Sequence, residues 1–357
     1  MLCSRLDLPG GIERAVVNAA NLFVEKGHKV TLLVLDETDN SFYPIEPTVK
    51  LIQQPLSFGI TPEGNIITRK IKMLSDVLKL RRLLKRLEPD LIIASEYPLA
   101  VAAVLSNAKK KSKLVSWEHH HFHELEKNKF WTRLFRLAYS RLDAVVCLNE
   151  DERKLYHSVN PHPVVIPNFI SANTETSART SKQILTVGRI ASVKGTDMLV
   201  KAATIVLKKH PDWKWKIIGN SSIDDDFSRN IYQQQLPDGL TIQTPVSHDI
   251  GHEYKDASLY VMTSRNECFP MTLLEAMSFG LPCISFDCDT GPRHIIEHDY
   301  NGLLVEKENV VKLAKAVSAS IRFHSLMQVM GRNAHQSVQS FLPETIYRLW
   351  QKEIFTL

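Results

Sequence analysis

Short apolar runs alternate with longer stretches of helical period along almost the whole chain, which restricts it to α/β architecture with parallel sheets. In the first half, Val30–Leu35, Leu91–Ala94, Leu114–Trp117, Ala144–Leu148 and Val164–Ile166 read as strands, with helices at Glu13–Lys26, Ile71–Leu87 and Phe130–Arg141. The pattern restarts with strands at Ile184–Val187, Lys214–Ile218, Leu240–Gln243, Leu259–Met262 and Pro282–Phe286, and helices near Thr196–Lys209 and Met271–Phe279. Between the halves, the stretch from Pro161 to Arg179 holds Pro163, Pro167 and a Ser/Thr/Asn cluster, the composition of a linker. A length of 357 residues with 44% hydrophobic content suits two separate cores. We therefore expect one domain over 1–170, a second over 171–340, and a closing helical segment over 341–357.

A net charge of +5 is too small to imply nucleic acid, although it suits phosphate-bearing ligands or an anionic surface. The five cysteines form no C-x-x-C pair, so a reduced, cytoplasmic chain is expected rather than a disulfide framework. No apolar run is long enough to span a bilayer, and Met1 to Asp7 is no signal peptide.

The densest chemistry lies in Arg265-Asn266-Glu267-Cys268-Phe269-Pro270-Met271-Thr272-Leu273-Leu274-Glu275-Ala276-Met277, directly after the strand Leu259–Met262. Pro270 reads as a first-turn helix residue, since its missing N–H is not needed there. The amides of Met271, Thr272 and Leu273 would then be unsatisfied at a helix N-terminus, and with the helix dipole they form an anion site. Glu267 lies at the mouth of that site, and Glu275 lies about two turns into the helix, placed to accept bonds from vicinal hydroxyls. A phosphate between two hydroxyl-binding carboxylates describes a nucleotide sugar.

This stretch resembles the E-x7-E signature of the retaining glycosyltransferases of family 4, bacterial cell-surface polysaccharide enzymes with the GT-B fold. The strand before it, the Phe-Pro within it, the Glu-Ala-Met after it and the helix end Gly280-Leu281-Pro282 all fall in order. The resemblance implies two Rossmann-like domains facing a cleft, the first binding acceptor and the second donor, with the helix Thr345–Phe355 crossing back to the first. Such enzymes usually have a full first strand, and here Met1 to Leu6 leaves room only for a short one or for a truncated start. It also implies transfer of a hexose from a nucleoside-diphosphate sugar, UDP-linked, to a glycan or lipid-linked acceptor. Glu275 would bind the ribose hydroxyls, Glu267 the sugar hydroxyls, and the amides of Phe269, Pro270's successor Met271, and Thr272 the phosphate and sugar. Cys268 stands where the family most often has glycine, so its side chain would narrow the sugar site.

Gly188-Arg189 followed by Lys194-Gly195 matches the family's G-R-x-x-x-x-K-G pattern, after the first strand of the second domain. Arg189 and Lys194 would neutralise the departing diphosphate, often the largest catalytic contribution. That charge makes a metal unnecessary, and no cofactor beyond the nucleotide sugar is expected; Asp287-Cys288-Asp289 is the nearest metal-like triplet and reads as loop. Gly10 and Gly11, in Pro9-Gly10-Gly11-Ile12-Glu13-Arg14, form the glycine turn before the first helix, matching a G-G-x-E-R pattern rather than the dinucleotide G-x-G-x-x-G. Gly219, directly after Lys214–Ile218, completes the expected substrate-binding set.

The run Trp117-Glu118-His119-His120-His121-Phe122-His123 has zinc-ligand residue types, but consecutive histidines diverge and no partner set stands elsewhere at finger spacing. The resemblance places one histidine beside the transferred sugar, His119 matching best and His120 second. Two basic stretches, Lys127–Arg141 with Trp131 and Phe135, and Arg69–Arg86, have the make-up of helices that lie on an anionic membrane surface. The same pattern also describes a helix that merely covers a sheet. Competing readings are a GT-B sugar-nucleotide epimerase, a catalytically silent glycan-binding module and a membrane-docking scaffold.

Overall fold

The structure, a computed structural model, describes the chain except residues 38–39, 57, 59–65, 107–111, 125–128, 172, 174, 222–225 and 245–249. Side chains of 66–70, 124, 129 and 130 are likewise outside the described set. Two units result, one formed by Met1–Phe169 with Ile346–Leu357 and the other by Ile170–Thr345.

The first unit holds a seven-stranded sheet of β1 (Leu2–Cys3), β2 (Thr31–Val34), β3 (Lys50–Gln53), β4 (Leu91–Ala94), β5 (Lys113–Trp117), β6 (Ala144–Cys147) and β7 (Pro163–Val165). Its order is β3-β2-β1-β4-β5-β6-β7, and every pairing is parallel. The strands of the middle are apolar on both faces because helices cover both, as parallel sheets require. These helices are α1 (Gly11–Glu25), α2 (Ile66–Leu87), α3 (Tyr97–Ser106), α4 (Lys129–Tyr139) and α5 (Glu150–Tyr156). β1 is only two residues long yet occupies the centre, with Leu2 opposite both Leu33 and Ala94. Pro163 begins β7, which is tolerated because β7 is an edge strand with one side needing no donor.

In the second unit β8 (Gln183–Val187), β9 (Lys214–Ile218), β10 (Leu240–Gln243), β11 (Leu259–Met262), β12 (Cys283–Asp287) and β13 (Gly302–Glu306) form a parallel sheet ordered β10-β9-β8-β11-β12-β13. Around it run α6 (Thr196–Lys209), α7 (Asp226–Gln233), α8 (Gly251–Asp256), α9 (Met271–Ser278), α10 (Val310–Arg322) and α11 (His324–Ser337). Both sheets are doubly wound. The strand order reverses at β1/β4 in one and at β8/β11 in the other, and ligands of open α/β sheets gather at the carboxyl ends beside such reversals.

The chain closes with α12 (Pro343–Trp350) and a π-helical turn, Gln351–Phe355, and belongs to the first unit from Ile346, within α12, onward. The expected start of this segment, 341, lies five positions earlier. Phe341 stays with the second unit because its carbonyl accepts from the Ile170 amide and its ring sits 5.7 Å from that of Phe269. Within the first unit, Trp350 is fully buried, with its ring 5.2 Å from Trp117 and 5.4 Å from Phe23.

One expectation for the basic stretches fails. Phe135 on α4 is 3% exposed and packs on Tyr139, so it cannot enter a lipid headgroup region. Trp131 also packs against the core, while Lys127 and the side chain of Lys129 lie outside the described residues. All five cysteines are free and buried, and no described helix is long and apolar enough to cross a membrane.

Candidate active site

At the β8/β11 reversal, the loop after β8 meets the loop after β11, and this contact builds the site. Gly188 and Arg189 follow β8 directly, and Arg189 is exposed, with no hydrogen bond or ion pair among the described residues. A short 3-10 turn, Ser192–Lys194, leads into α6 through Gly195, whose φ of +67° and whose Cβ position 2.0 Å from the Thr263 carbonyl both require glycine. Thr263 Oγ1 donates to the carbonyls of Lys194 and Gly195, each at 3.1 Å. The Arg265 amide donates to the Val193 carbonyl at 2.8 Å, and its guanidinium grips both oxygens of Asp197 at 2.9 and 2.8 Å. The loop that carries Lys194 is thus fixed by the strand that leads to Glu267.

The two then meet. Lys194 Nζ lies 2.6 Å from Glu267 Oε1, which also accepts from Ser264 Oγ at 2.7 Å. Only 12% of the Glu267 side chain and 28% of the Lys194 side chain are exposed, so the pair is partly withdrawn from water. The Glu267 carbonyl accepts from the Gly291 amide at 2.7 Å and from Thr290 Oγ1 at 2.9 Å, which pins the loop from its other side. Charge-assisted bonds of this kind are roughly twice as strong as neutral ones, so Glu267 is held in place before any ligand arrives.

α9 begins at Met271 as expected, but Pro270 stands just outside it rather than in its first turn. Pro270 is the N-cap, with ψ of 104°, and its carbonyl accepts from Leu273 at 3.2 Å. The Leu273 amide is therefore already used, leaving those of Met271 and Thr272 without a backbone acceptor among the described residues. Glu275 is consequently just over one turn into α9 rather than about two. It is 5% exposed, and its Oε2 accepts from the Tyr254 hydroxyl of α8 at 2.9 Å. Thr272 Oγ1 accepts from Tyr260 of β11 at 2.9 Å. Cys268 and Phe269 are each 7% exposed, so they line the loop's interior.

Gly219, at the end of β9, lies where a Cβ would come within 1.8 Å of the Gly188 carbonyl, so no side chain fits between the two loops. Asp287 closes β12 rather than lying in a loop, and pairs with Arg293 at 2.9 Å; Asp289 pairs with Lys307 at 2.8 Å. Both carboxylates of that triplet have cations of their own. Burial, with the Glu267 charge adding to it, pushes the Cys288 thiol between them up to about 12.

The remaining expected residues belong to the first unit. Gly10 caps α1 with its carbonyl accepting from Arg14, and Gly11 is the first helical residue. His119 follows β5 with its ring 4.5 Å from Trp117, and its Nε2 is buried with no hydrogen-bond partner. Burial, with His120 adding, pushes its pKa down to about 3, so the ring is neutral at ordinary pH. The neighbouring histidines are held differently. His121 Nδ1 contacts the buried Glu152, which also accepts from the Phe122 amide at 3.0 Å, whereas His123 is exposed. Glu118 is buried against Ser116 and Tyr139, and burial pushes its carboxyl up. No group of three His, Cys, Asp or Glu arranged for a metal occurs among the described residues.

Sequence reasoning missed Ser264, Thr290, Tyr254 and the Arg265–Asp197 clamp. Charged residues in distant loops give no local signal of pairing, and only the adjacency of β8 and β11 brings them together. The clamp titrates. Burial raises the Asp197 carboxyl, but Arg265 more than offsets this and holds it below the usual carboxylate range. Its contribution to stability is thus present above the ordinary carboxylate value, about 4, and is lost as pH falls through the lower folded value. Arg265→Leu should lower the thermal midpoint at neutral pH, and the gap from wild type should narrow as pH drops below that range. A gap constant from pH 7 down into the acid range would show that Asp197 is not the partner that matters.

The two Rossmann-like parallel-sheet domains, of seven and six strands, match the GT-B fold of solved glycosyltransferase structures. Residues 9–174 match Glycosyltransferase Family 4 and residues 170–337 match Glycosyl transferases group 1, so the chain carries the paired domains of these enzymes from end to end of that span. Among its relatives, the amylovoran biosynthesis glycosyltransferase AmsD of Erwinia amylovora is 26% identical, over 96% of this chain and 95% of its own. The GalNAc-alpha-(1->4)-GalNAc-alpha-(1->3)-diNAcBac-PP-undecaprenol alpha-1,4-N-acetyl-D-galactosaminyltransferase of Campylobacter jejuni is 24% identical, over 97% and 95%. A TarM variant of S. aureus, solved with fondaparinux, alpha-GlcNAc-glycerol and UDP, superposes with a TM-score of 0.79 over 99% of this chain and 98% of its own; at 16% identity this shows the fold.

Proposed function

We propose that this glycosyltransferase moves a hexose from a UDP-linked sugar to a glycan or lipid-linked acceptor in cell-surface polysaccharide synthesis, with retention at the anomeric carbon. The observation that carries the reading is the Lys194–Glu267 pair at 2.6 Å beside the open amides of Met271 and Thr272. It sets a cation, a hydroxyl-binding carboxylate and a helix N-terminus side by side at one switch point. The TarM structure holds UDP, and the Campylobacter relative's name gives an undecaprenol-linked acceptor, which support donor and acceptor class respectively.

In this reading Arg189 and Lys194 take the diphosphate, the Met271 and Thr272 amides take phosphate and sugar oxygens, Glu267 binds sugar hydroxyls and Glu275 the ribose hydroxyls. Cys268 limits the room at the sugar. His119 supplies a neutral ring whose nitrogen can hydrogen-bond a sugar hydroxyl, because a buried imidazolium is disfavoured there. Retention follows from front-face attack. The bond from anomeric carbon to phosphate oxygen breaks as the bond to the acceptor oxygen forms on the same face, and the acceptor's proton passes to the leaving phosphate. The cations stabilise the charge that grows on the diphosphate.

A panel of nucleotide sugars tests this by thermal shift and by slow hydrolysis. UDP and one UDP-hexose should raise the midpoint, since a ligand at 100 times its Kd adds about 2.7 kcal/mol. Transfer and hydrolysis should survive EDTA, because protein cations do the neutralising. Failure of every UDP-sugar to bind or react would end the donor assignment. Activity lost on chelation and restored by Mg²⁺ or Mn²⁺ would give that work to a metal and return attention to Asp287 and Asp289.

A further inference from the structure

α9 and its C-cap present two side chains one turn apart on the same face, Glu275 and Phe279, and one residue of α8 meets both. Tyr254 stacks its ring on that of Phe279 at 5.5 Å and 16°, and its hydroxyl reaches on to donate to Glu275 Oε2 at 2.9 Å. The Tyr254 ring is buried, with that of Tyr260 6.2 Å away, so packing fixes the direction in which the hydroxyl points. α8 itself is fastened at several places. The buried Glu253 pairs with Lys216 of β9, while the carbonyls of Asp256 and Ala257 accept from the hydroxyls of Ser181 and Ser177. The Glu275 backbone is equally fixed, since its carbonyl accepts from Ser278 Oγ at 2.7 Å and from the Phe279 amide at 3.3 Å. Both ends of the Tyr254–Glu275 bond therefore stand on rigid supports.

We propose that Tyr254 is a positioning residue that orients Glu275 for the 2′ and 3′ hydroxyls of the nucleotide's ribose, and thereby sets a preference for ribonucleotide over deoxyribonucleotide donors. The proposal deepens the ribose assignment of Glu275 made above and rests on it. A free glutamate side chain turns about several single bonds, and stilling it when a ligand binds costs conformational entropy. Donation from Tyr254 to Oε2 settles the plane of the carboxylate beforehand, so vicinal hydroxyls meet acceptors already in place. Discrimination follows from the same burial. Where a buried carboxylate is set to receive hydroxyls, a sugar without them leaves it short of donors, which costs far more than a missing apolar contact. Tyr260 supplies an internal contrast. Its hydroxyl lies 2.9 Å from Thr272 Oγ1, at the end of α9 assigned to phosphate, so it supports the other half of the nucleotide's site.

The test is titration calorimetry of the full chain with UDP and with 2′,3′-dideoxy-UDP, which keeps the base and both phosphates but lacks the two hydroxyls. Wild type should prefer UDP at least about 30-fold, and Glu275→Gln should remove most of that preference. Tyr254→Phe keeps the ring and loses only the hydroxyl. It should weaken UDP about tenfold, leave dideoxy-UDP within about twofold of wild type, and add little to Glu275→Gln in the double variant. Tyr260→Phe should instead move both nucleotides alike. A role confined to packing would weaken the two ligands in step. An unchanged ratio in folded Tyr254→Phe, with Glu275→Gln collapsing it, would therefore overturn the proposal. Should Tyr254→Phe fail to fold by circular dichroism, Phe279→Leu serves in its place, since it keeps the hydroxyl but loosens the ring, and it should lower the ratio at least about threefold. A ratio that Phe279→Leu leaves alone would overturn the proposal likewise. A wild type without the preference, or a ratio that Glu275→Gln leaves intact, would instead remove the ribose assignment itself, and the proposal with it.

Discussion

Lys194→Ala is expected to lower kcat/KM about 10²-fold or more, as loss of a preorganised charge at a transition state does. Arg189→Ala should cost as much, but for a simpler reason. Arg189 is exposed and makes no hydrogen bond or ion pair among the described residues, so its removal should take away ligand charge and leave folding intact. Lys194 does two things. It is the cation beside Glu267, and without it a carboxylate with 12% side-chain exposure keeps only Ser264 among the two donors seen at Oε1. Glu267 should then shift as well, so Lys194→Ala combined with Glu267→Gln should cost less than the sum of the single losses. Residues that touch are not additive, whereas distant ones are. The measurement is steady-state kinetics on wild type, the three single variants and the double variant, with thermal midpoints as a folding control. Turnover near wild type for both Arg189→Ala and Lys194→Ala, in folded protein, would remove the diphosphate assignment.

The largest effect on stability should come from Trp350→Ala. Trp350 is 0% exposed and meets Trp117 and Phe23 edge-on, with Phe355 at 6.2 Å closing its other side. Truncating such a ring leaves a cavity as well as losing the transfer of apolar surface, about 3–5 kcal/mol in total. Trp350→Phe keeps most of the ring contacts and should cost much less. Urea unfolding, read by circular dichroism, should show the Ala variant losing the first unit at lower denaturant than the second. A change below about 1 kcal/mol, the range of ordinary surface substitutions, would mean that the closing segment is dispensable for the first unit.

How far the sequence could be read depended on which force set each element. Lys214–Ile218, Leu240–Gln243, Leu259–Met262 and Thr196–Lys209 are found at the positions that periodicity predicts, because each is a buried strand or an amphipathic helix with clear ends. α3 went unread because Tyr-Pro-Leu-Ala-Val-Ala-Ala-Val-Leu-Ser is apolar on all sides and shows no helical stripe. β3 also went unread, since Lys50 and Leu51 are exposed at a sheet edge and the run lacks a buried strand's apolar signature. At the site, motif order indicated Glu267, Glu275, Arg189 and Lys194 as candidates. What it could not show is that Lys194 and Glu267 are partners, or that the Leu273 amide is taken by Pro270. Those are facts of loop adjacency and of one residue's ψ angle. Phe135 illustrates the opposite error, an aromatic assigned to the outer face because α4's sequence alone does not say which side the sheet takes.

The return of the chain to its first unit at Ile346 bears on how the molecule comes into being on the ribosome. Synthesis proceeds from the N-terminus, so Phe23 and Trp117 are made long before Trp350, which covers them. At about 5–20 residues per second, the whole of Ile170–Thr345 emerges first, a delay on the order of ten seconds or more. During that interval the second unit can close its own sheet while the first still shows an aromatic surface to solvent or to a chaperone. The nascent protein thus finishes in the reverse of its reading order, with its earliest-made domain sealed last.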